Sequence, residues 1–359
     1  MAQKIILGIT QGDTNGVGYE VIIKALSDAR VQDMCIPVLY GSSRFFGMYR
    51  NEIPETEQIV TNVINSAADA RPKRVNIINA VPDNLAVETG QPSIDGAKAA
   101  KAAIEAATAD LVAGRIDALV TAPINKHTMQ EVGFGFTGHT EYLINATGAK
   151  QGLMFLCSQH LKVGIVTNHL PVTKVAGAIT KELIIEKLRV MNKSLIRDFS
   201  VVRPKIAVLG LNPHAGDEGS LGTEERDIIA PAIADAKSEG ILAFGPYPAD
   251  AYFGTGLSGK FDAVLAVYHD QGMIPFKASS FDDGVNFTAG LPVVRTSPDH
   301  GTAFAIAGKN MAHPGSVLSA IFCAIDICNN RRRYDEMTAD PMEVKVFEGS
   351  RYDKTIAPE

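Results

Sequence analysis

Three histidines each follow a hydrophobic, strand-like run. They are His169 after VGIVTN, His214 after IAVLGLNP and His269 after DAVLAVY. Parallel strands of one α/β sheet end at the same edge, where such folds bind ligands, so we expect the three imidazoles in one cleft. A single histidine at such a position is more often a structural loop residue, but the repetition favours a metal site. Three neutral imidazoles suit zinc and similar divalent ions and leave coordination positions open for substrate oxygens.

Two glycine-containing segments at predicted helix starts are candidate anion sites. His139 and Thr140 follow Gly138, and an imidazole and a hydroxyl there either bind a phosphate or carboxylate or only cap the helix. The loop 12–18, GDTNGVG, joins a predicted strand to a helix but lacks the GxGxxG and GxxxxGKS spacings. It is therefore either an anion loop or a tight turn that requires glycine.

The segment after His269 contains a second group of candidates. Lys277, Asn286 and Arg295 lie beside apolar or glycine-containing loops and not on a charged helix face. Lys and Arg are usually exposed, yet the closeness of these residues to His269 in sequence favours a role in holding an anion. The glycine-punctuated segment 299–309 then follows, and its spacing does not distinguish a cofactor loop from a structural one.

The overall composition is that of a globular protein with a small-molecule ligand. The 359 residues are 46% hydrophobic and 21% charged, and 34 Lys and Arg against 40 Asp and Glu give a formal charge of −6. This charge disfavours nucleic acid or an anionic membrane as the main partner. The N-terminus shows no secretory pattern and no segment is long enough to span a bilayer, so we expect a cytoplasmic protein. Cys35, Cys157, Cys323 and Cys328 lack CxxC spacing and are interpreted as reduced core residues.

Short β-branched runs alternate with amphipathic segments, which predicts an α/β fold with a mostly parallel sheet. The predicted strands are 5–10, 36–40, 75–78, 118–121, 152–156, 163–167, 206–209, 263–267 and 293–296, and the predicted helices are 19–29, 94–113, 181–199 and 224–237. Chain crossings near residues 133–138 and 296–301 divide the chain into a discontinuous first domain, 1–132 with 297–333, and a second domain, 133–296, that holds the metal site. Residues 334–359 are expected to form a loosely attached tail with at most one strand, 344–347.

A set of motifs gives the chain a recognisable resemblance. The motifs are TQGDTNGVGYE, TAPINK, TGHTEYL, TNHLPV, LNPHAGDEG, GPYPADAYF, YHDQGMIPFK and NFTAGLPVVRTSPDHGTAFAIAGK. From about residue 4 to about residue 333 the sequence resembles the 4-hydroxythreonine-4-phosphate dehydrogenase family of vitamin B6 biosynthesis. Its DHGTAFAIAGK loop is similar to the adenosine loop of isocitrate and isopropylmalate dehydrogenases, whose two-domain fold that family shares. The N-terminal motif departs from the usual GDPAGIGPE at Thr14, Asn15 and Tyr19.

The resemblance implies a two-domain subunit in a homodimer, with an active site in the interdomain cleft near the dimer interface. It also assigns roles to individual residues. These are His169, His214 and His269 as ligands of zinc, magnesium or cobalt, one of them supplied across the dimer; His139, Thr140, Lys277, Asn286 and Arg295 as substrate-binding residues; Lys277 and Asp250 as catalytic candidates; and His300, Gly301 and Thr302 as the NAD or NADP site.

The implied reaction is NAD(P)-dependent oxidation of 4-phosphooxy-L-threonine with loss of carbon dioxide, which gives 3-amino-2-oxopropyl phosphate. The same metal, hydride acceptor and phosphate site would serve a decarboxylating dehydrogenase of erythronate or threonate 4-phosphate. A phosphate acyltransferase shares the general fold, but it leaves the three histidines unexplained. A non-enzymatic metal- or nucleotide-binding protein would bind these ligands without producing NADH.

Overall fold

The computed structural model describes residues 4–56, 58–82, 84–280 and 282–340, and within them twelve strands form one sheet. The strands are β1 (Ile5–Thr10), β2 (Cys35–Gly41), β3 (Thr61–Ile64), β4 (Val75–Asn79), β5 (Ala118–Thr121), β6 (Leu153–Cys157), β7 (Lys162–Ile165), β8 (Lys205–Leu209), β9 (Leu242–Tyr247), β10 (Ala263–Ala266), β11 (Val285–Ala289) and β12 (Val294–Pro298). The α-helices are α1 (Gly18–Leu26), α2 (Ala29–Met34), α3 (Ser43–Asn51), α4 (Ile94–Val112), α5 (Lys126–Glu131), α6 (His139–Thr147), α7 (Val172–Ala178), α8 (Lys181–Arg197), α9 (Ala230–Ser238), α10 (Ala249–Gly254), α11 (His269–Ser279) and α12 (Gly315–Thr338).

The strand order is β3-β4-β2-β1-β5-β12-β11-β6-β7-β10-β8-β9. Pairing is parallel except where β11 meets β12 and β6, and where β6 meets β7. The predicted α/β fold with a mostly parallel sheet is therefore confirmed. The antiparallel strands β6 and β11 lie in the middle of the sheet, so strand direction reverses there and the strands at the two ends run in opposite directions.

Three adjacent strands lead into the segments that carry the three predicted metal histidines. β7, β10 and β8 are neighbours and mutually parallel, with Val264 paired to Val163 on one side and to Ala207 on the other. Their carboxyl ends lie at one edge, and each of His169, His269 and His214 follows one of them. The position of each histidine after a parallel strand is as predicted, and their meeting in one metal site stays a prediction.

The strands near the site are held by apolar packing on the sheet. All four residues of β5 and of β10 are buried, as continuous apolar runs in a covered sheet should be. α11 packs on β7 and β10, and α12 packs on β12, β5 and β11. The four cysteines are free, and three are buried while Cys323 is half-buried, in agreement with the prediction.

Several element boundaries differ from the prediction. The predicted helix 19–29 is two helices, because Asp28 accepts a hydrogen bond from the Arg30 amide and begins α2. The predicted helix 224–237 starts as a π-helical turn, Glu225–Ile229, before α9. α12 continues to Thr338, five residues into the segment expected as a tail, while the predicted strand 344–347 lies outside the described residues. None of the helices in the described ranges is long and apolar enough to cross a membrane.

Candidate active site

A cavity of about 240 Å³ collects most of the predicted substrate residues. It lies where the end of β5, the start of α6, the segment after β7 and the segment after β12 meet. The residues that line it are Thr121, Ala122, Pro123, Ile124, Lys126, Gly138, His139, Thr140, Glu141, Met154, Asn168, His169, Asn286, Arg295, Ser297, Pro298, Asp299, His300 and Gly301. The sequence positions of these residues span most of the described chain, so only the fold brings them together.

Arg295 is a buried cation at the floor of this cavity. Its side chain is 3% exposed, and it donates to the Thr121 hydroxyl from Nε at 3.0 Å and Nη2 at 2.6 Å, and to the Thr288 hydroxyl at 3.3 Å. No carboxylate forms a salt bridge with it among the described residues. Burial lowers the pKa of Arg295 to about 10, and the nearby Glu141 opposes that shift. A buried guanidinium without a counter-ion is costly unless an anion completes it.

Unpartnered polar atoms are concentrated around the same cavity. Of eight buried side-chain polar atoms without a hydrogen-bond partner in the described residues, four line it. They are Nε2 of His139, Oδ1 of Asn168, Oδ1 of Asn286 and Nε2 of His300. Because buried polar groups are normally paired, this concentration indicates a site that a polar ligand fills.

The imidazole of His139 is kept neutral. Burial lowers its pKa well below the usual value, and the positive charges of Arg295 and Lys126 lower it further. A neutral imidazole can present Nε2 as either a donor or an acceptor, depending on its tautomer. His139 and Thr140 begin α6 directly after Gly138. Because glycine has no side chain to cap the helix, this helix N-terminus faces the cavity without a side-chain cap.

Lys277 lies at the edge of the cavity. Its Nζ donates to the backbone carbonyl of Asp299 at 3.3 Å and is 3.7 Å from the Asp299 carboxylate. Burial raises the pKa of Asp299, and the Lys277 charge acts in the opposite direction. Lys277 therefore reaches the site through Asp299, which itself lines the cavity.

Two of the three predicted metal ligands face each other. The ring centroids of His169 and His269 are 5.6 Å apart. Burial lowers the pKa of His169, with smaller contributions from Lys126 and His269. Nδ1 of His269 is 2.7 Å from a carboxylate oxygen of Asp270, an arrangement that fixes the orientation of a ligating ring.

His214 lies in an unusual turn, Pro213–Gly219. Its φ is 53°, and left-handed backbone continues through Glu218. The buried carboxylate of Glu225 holds the start of this turn by accepting from the Asn212 amide at 2.7 Å and from its Nδ2 at 3.0 Å. Asn212 thus anchors the loop to Glu225.

His169 and His269 are suitable ligands for a divalent ion, which would need at least one further ligand. Within the described ranges no group of three or more His, Cys, Asp or Glu side chains is placed to hold a metal alone. Two facing imidazoles, one of them held neutral, and the unpartnered Asn168 oxygen next to His169 provide suitable donors. The role of His214 as a third ligand is a prediction that rests on its position after β8.

The N-terminal glycine loop is closely packed. Every residue from 11 to 18 is buried, and a Cβ on Gly16 would lie 2.7 Å from the Thr302 carbonyl. That carbonyl accepts a hydrogen bond from the Val17 amide at 3.0 Å. The turn interpretation of this loop is therefore favoured, and the loop supports the segment that contains His300 and Gly301.

The three departures from the family motif also lie away from the cavity wall. The Tyr19 hydroxyl donates to the Gln11 side chain and its ring stacks on Tyr49, while Asn15 donates to Ser93. Thr14 is buried as well. None of the three residues lines the cavity.

The structure places seven of the twelve predicted site residues in the lining of the cavity and five outside it. His139, Thr140, Asn286, Arg295, His169, His300 and Gly301 line the cavity. Of the five, Lys277 contacts Asp299, His269 faces His169, and His214 lies in the turn after β8. Thr302 supports the glycine loop, and Asp250 is exposed on α10, which packs against the turn that carries His214. Both keep their predicted roles as proposals.

Sequence reasoning did not single out Lys126, Glu141, Asn168 or Asp299. Lys126 and Glu141 stand inside the motifs TAPINK and TGHTEYL, and Asn168 directly precedes His169. Their proximity to selected residues was the available signal. Thr121 is the first residue of the same TAPINK motif, but a threonine at the end of a strand is otherwise an ordinary β residue.

Comparison with known proteins identifies relatives over nearly the whole chain. The family model for pyridoxal phosphate biosynthetic protein PdxA matches residues 33–324. A 4-hydroxythreonine-4-phosphate dehydrogenase from Bacteroides thetaiotaomicron is 47% identical over 346 residues, which is 96% of this chain and 94% of the relative. An enzyme of the same name from Sulfurihydrogenibium is 40% identical over 89% of this chain and 97% of its own. The crystal structure of the Klebsiella pneumoniae enzyme of that name superposes with a TM-score of 0.80, at 35% identity, over 91% of this chain and 99% of that chain.

Proposed function

Because this chain belongs to the family of pyridoxal phosphate biosynthetic protein PdxA, and is an oxidoreductase of that family, we propose that its substrate is 4-hydroxythreonine 4-phosphate. The proposed reaction is oxidation of the secondary hydroxyl with NAD or NADP, followed by loss of carbon dioxide to give 3-amino-2-oxopropyl phosphate. This is a step of pyridoxal phosphate biosynthesis, the role to which the family points.

The uncompensated charge of Arg295 is the observation that best supports this proposal. A planar guanidinium, buried and held by two threonine hydroxyls, is oriented to bind a phosphate or carboxylate with two parallel hydrogen bonds. Lys126 and Lys277 add positive charge at the cavity wall and edge, and Thr140 adds a hydroxyl. So many donors suit a substrate with two anionic groups, such as a phosphorylated hydroxy acid.

His169 and His269, with His214 or a ligand from a second subunit, would hold a divalent ion. When bound, this ion polarises the substrate hydroxyl and stabilises negative charge as carbon dioxide is lost, while NAD or NADP accepts the hydride. We place the nicotinamide cofactor against the loop of His300, Gly301 and Thr302, which the glycine loop supports from behind.

The chain's own groups orient the substrate and handle protons. Arg295 and Asn286 hold an anionic group, and neutral His139 hydrogen-bonds to it through Nε2 without adding charge. Lys277 holds a proton on Nζ at the cavity edge, fixed there by Asp299, and we assign it the transfer of a proton to the carbon that loses carbon dioxide. Asp250, on the helix behind the His214 turn, is proposed as a supporting carboxylate.

The test is NADH formation by the purified protein with a divalent ion and each of two substrates, 4-hydroxythreonine 4-phosphate and erythronate 4-phosphate. We expect kcat/KM for the amino acid to be higher by at least about tenfold, or about 1.4 kcal/mol of transition-state discrimination. Equal or reversed values would assign the chain to sugar-acid oxidation, and binding without NADH formation would leave only a binding protein.

A further inference from the structure

Two of the residues that line the cavity are acidic, Glu141 and Asp299. Asp299 is already engaged, because Lys277 lies 3.7 Å from its carboxylate and donates to its carbonyl. Glu141 forms no hydrogen bond or salt bridge with any residue that the structure describes. A carboxylate without a partner is therefore presented to a ligand inside a cavity that is otherwise rich in positive charge and neutral donors.

The position of Glu141 is fixed by the start of α6. It is the third residue of the helix, and its Oε2 lies about where it would touch a side chain at Gly138, 3.5 Å from an ideal Cβ there. Its charge raises the pKa of both Arg295 and His169, so it is near the anion-binding floor as well as the facing imidazoles. Glu141, Arg295 and His169 thus line the same cavity, where one ligand could contact all three.

A purely structural role for Glu141 does not explain why its side chain lines the cavity. An acidic residue in the first turn of a helix stabilises the helix dipole wherever it points, and it has no need to face a cavity. A capping interaction would require Glu141 to accept from the Gly138 amide. The described contacts include no such bond.

We infer that Glu141 accepts the ammonium group of the substrate and thereby makes the site select an amino acid over the corresponding hydroxy acid. This inference rests on the proposed function and adds to it a reason for the selectivity between the two substrates. A charge-assisted hydrogen bond to an ammonium is stronger than one to a hydroxyl. With a sugar acid, the same carboxylate faces a substrate with more net negative charge and disfavours it, so one residue provides both attraction and rejection.

The experiment compares kcat/KM for 4-hydroxythreonine 4-phosphate and erythronate 4-phosphate in wild type, Glu141→Gln and Glu141→Asp. Glu182→Gln is the matched control, since Glu182 is an exposed acid in the first turn of α8. We expect Glu141→Gln to lower the amino-acid value by about 10- to 100-fold while the sugar-acid value is unchanged or rises. Glu141→Asp should keep part of the preference, and Glu182→Gln should keep all of it.

Equal loss for both substrates in Glu141→Gln, or no change in their ratio, would overturn the inference, because a structural or general electrostatic role affects both alike. Thermal unfolding of each variant verifies that it is folded. A wild-type chain that oxidises neither compound would refute the proposed function instead. Calorimetric affinities of wild type and Glu141→Gln for the two compounds would then still decide whether Glu141 binds the ammonium group.

Discussion

Replacement of Arg295 by methionine should stabilise the ligand-free protein while it removes anion binding. The side chain is buried, has no carboxylate partner in the described structure, and is held only by the hydroxyls of Thr121 and Thr288. Methionine keeps similar length and flexibility without the charge. Higher stability of the ligand-free protein together with weaker anion binding would show that Arg295 serves ligand binding at the expense of stability.

The size of the expected change in the free energy of unfolding follows from the pKa of Arg295. Burial lowers the pKa of Arg295 to about 10, and each factor of ten corresponds to about 1.4 kcal/mol, so the folded state carries a cost of about 3 kcal/mol. Because a lowered pKa of a base disfavours its protonated form in the folded state, this cost is present at every pH below about 10. The variant also loses the hydrogen bonds to Thr121 and Thr288, which lowers the stability of the fold by about 2 kcal/mol. The net expectation is a gain of about 1 kcal/mol, or about 1 °C in Tm for a chain of 359 residues.

The assay is thermal unfolding without ligand, combined with calorimetric titration of inorganic phosphate and of the phosphorylated substrate. Substrate affinity should fall by at least about 30-fold, because a buried charged partner is lost. Arg203→Met, which removes an exposed arginine, is the control and should change neither quantity. Unchanged substrate affinity in Arg295→Met would refute the reasoning, whatever happens to Tm.

Three further predictions address the metal, the assembly and a buried acid. Alanine at His169, His214 or His269 should each lower bound zinc or cobalt substantially in metal analysis, and unchanged occupancy in all three would refute the site. The chain should sediment as a dimer at micromolar concentration, and a fully active monomer would count against a shared active site. Burial raises the pKa of the Asp13 carboxyl from 3.8 to about 6, so the folded protein loses stability as pH rises from about 4 to about 6 and carries the full cost above that. Asp13→Asn should therefore raise the free energy of unfolding by about 1 to 3 kcal/mol at pH 7.5 and by about half as much at pH 5 in urea titrations.

The elements with strong local signals could be predicted, and those without them could not. β1 and β5 have the predicted bounds because continuous apolar, β-branched runs between turn residues have few alternatives. β3 is a four-residue strand at the sheet edge with Val63 exposed, and β9 contains Gly245 and Pro246, which disfavour the prediction of a strand from pattern alone. Both are edge strands, and each is defined by its pairing with one neighbour, β4 or β8.

The candidate site divides in the same way. His169 and His269 could be predicted to meet because topology places the ends of β7 and β10 side by side. The absence of a salt bridge to Arg295 among the described residues, and the presence of Glu141 in the same cavity, depend on packing among separated segments. Residue type identified Arg295 as a candidate, but only three-dimensional structure shows that it lacks a counter-ion.

Unfavourable backbone conformations and unpartnered buried polar atoms occur at the His214 turn and around the cavity. His214, Ala215, Asp217 and Glu218 adopt left-handed backbone, at roughly 1–2 kcal/mol per residue. The buried carboxylate of Glu225 holds that turn in place. Unpartnered polar atoms and a guanidinium without a salt bridge among the described residues lie around the cavity. The left-handed turn, the unpartnered atoms and the buried guanidinium each cost the ligand-free fold free energy. A phosphorylated substrate with a bound divalent ion would satisfy the cavity's donors, and we therefore interpret these costs as preorganisation for binding.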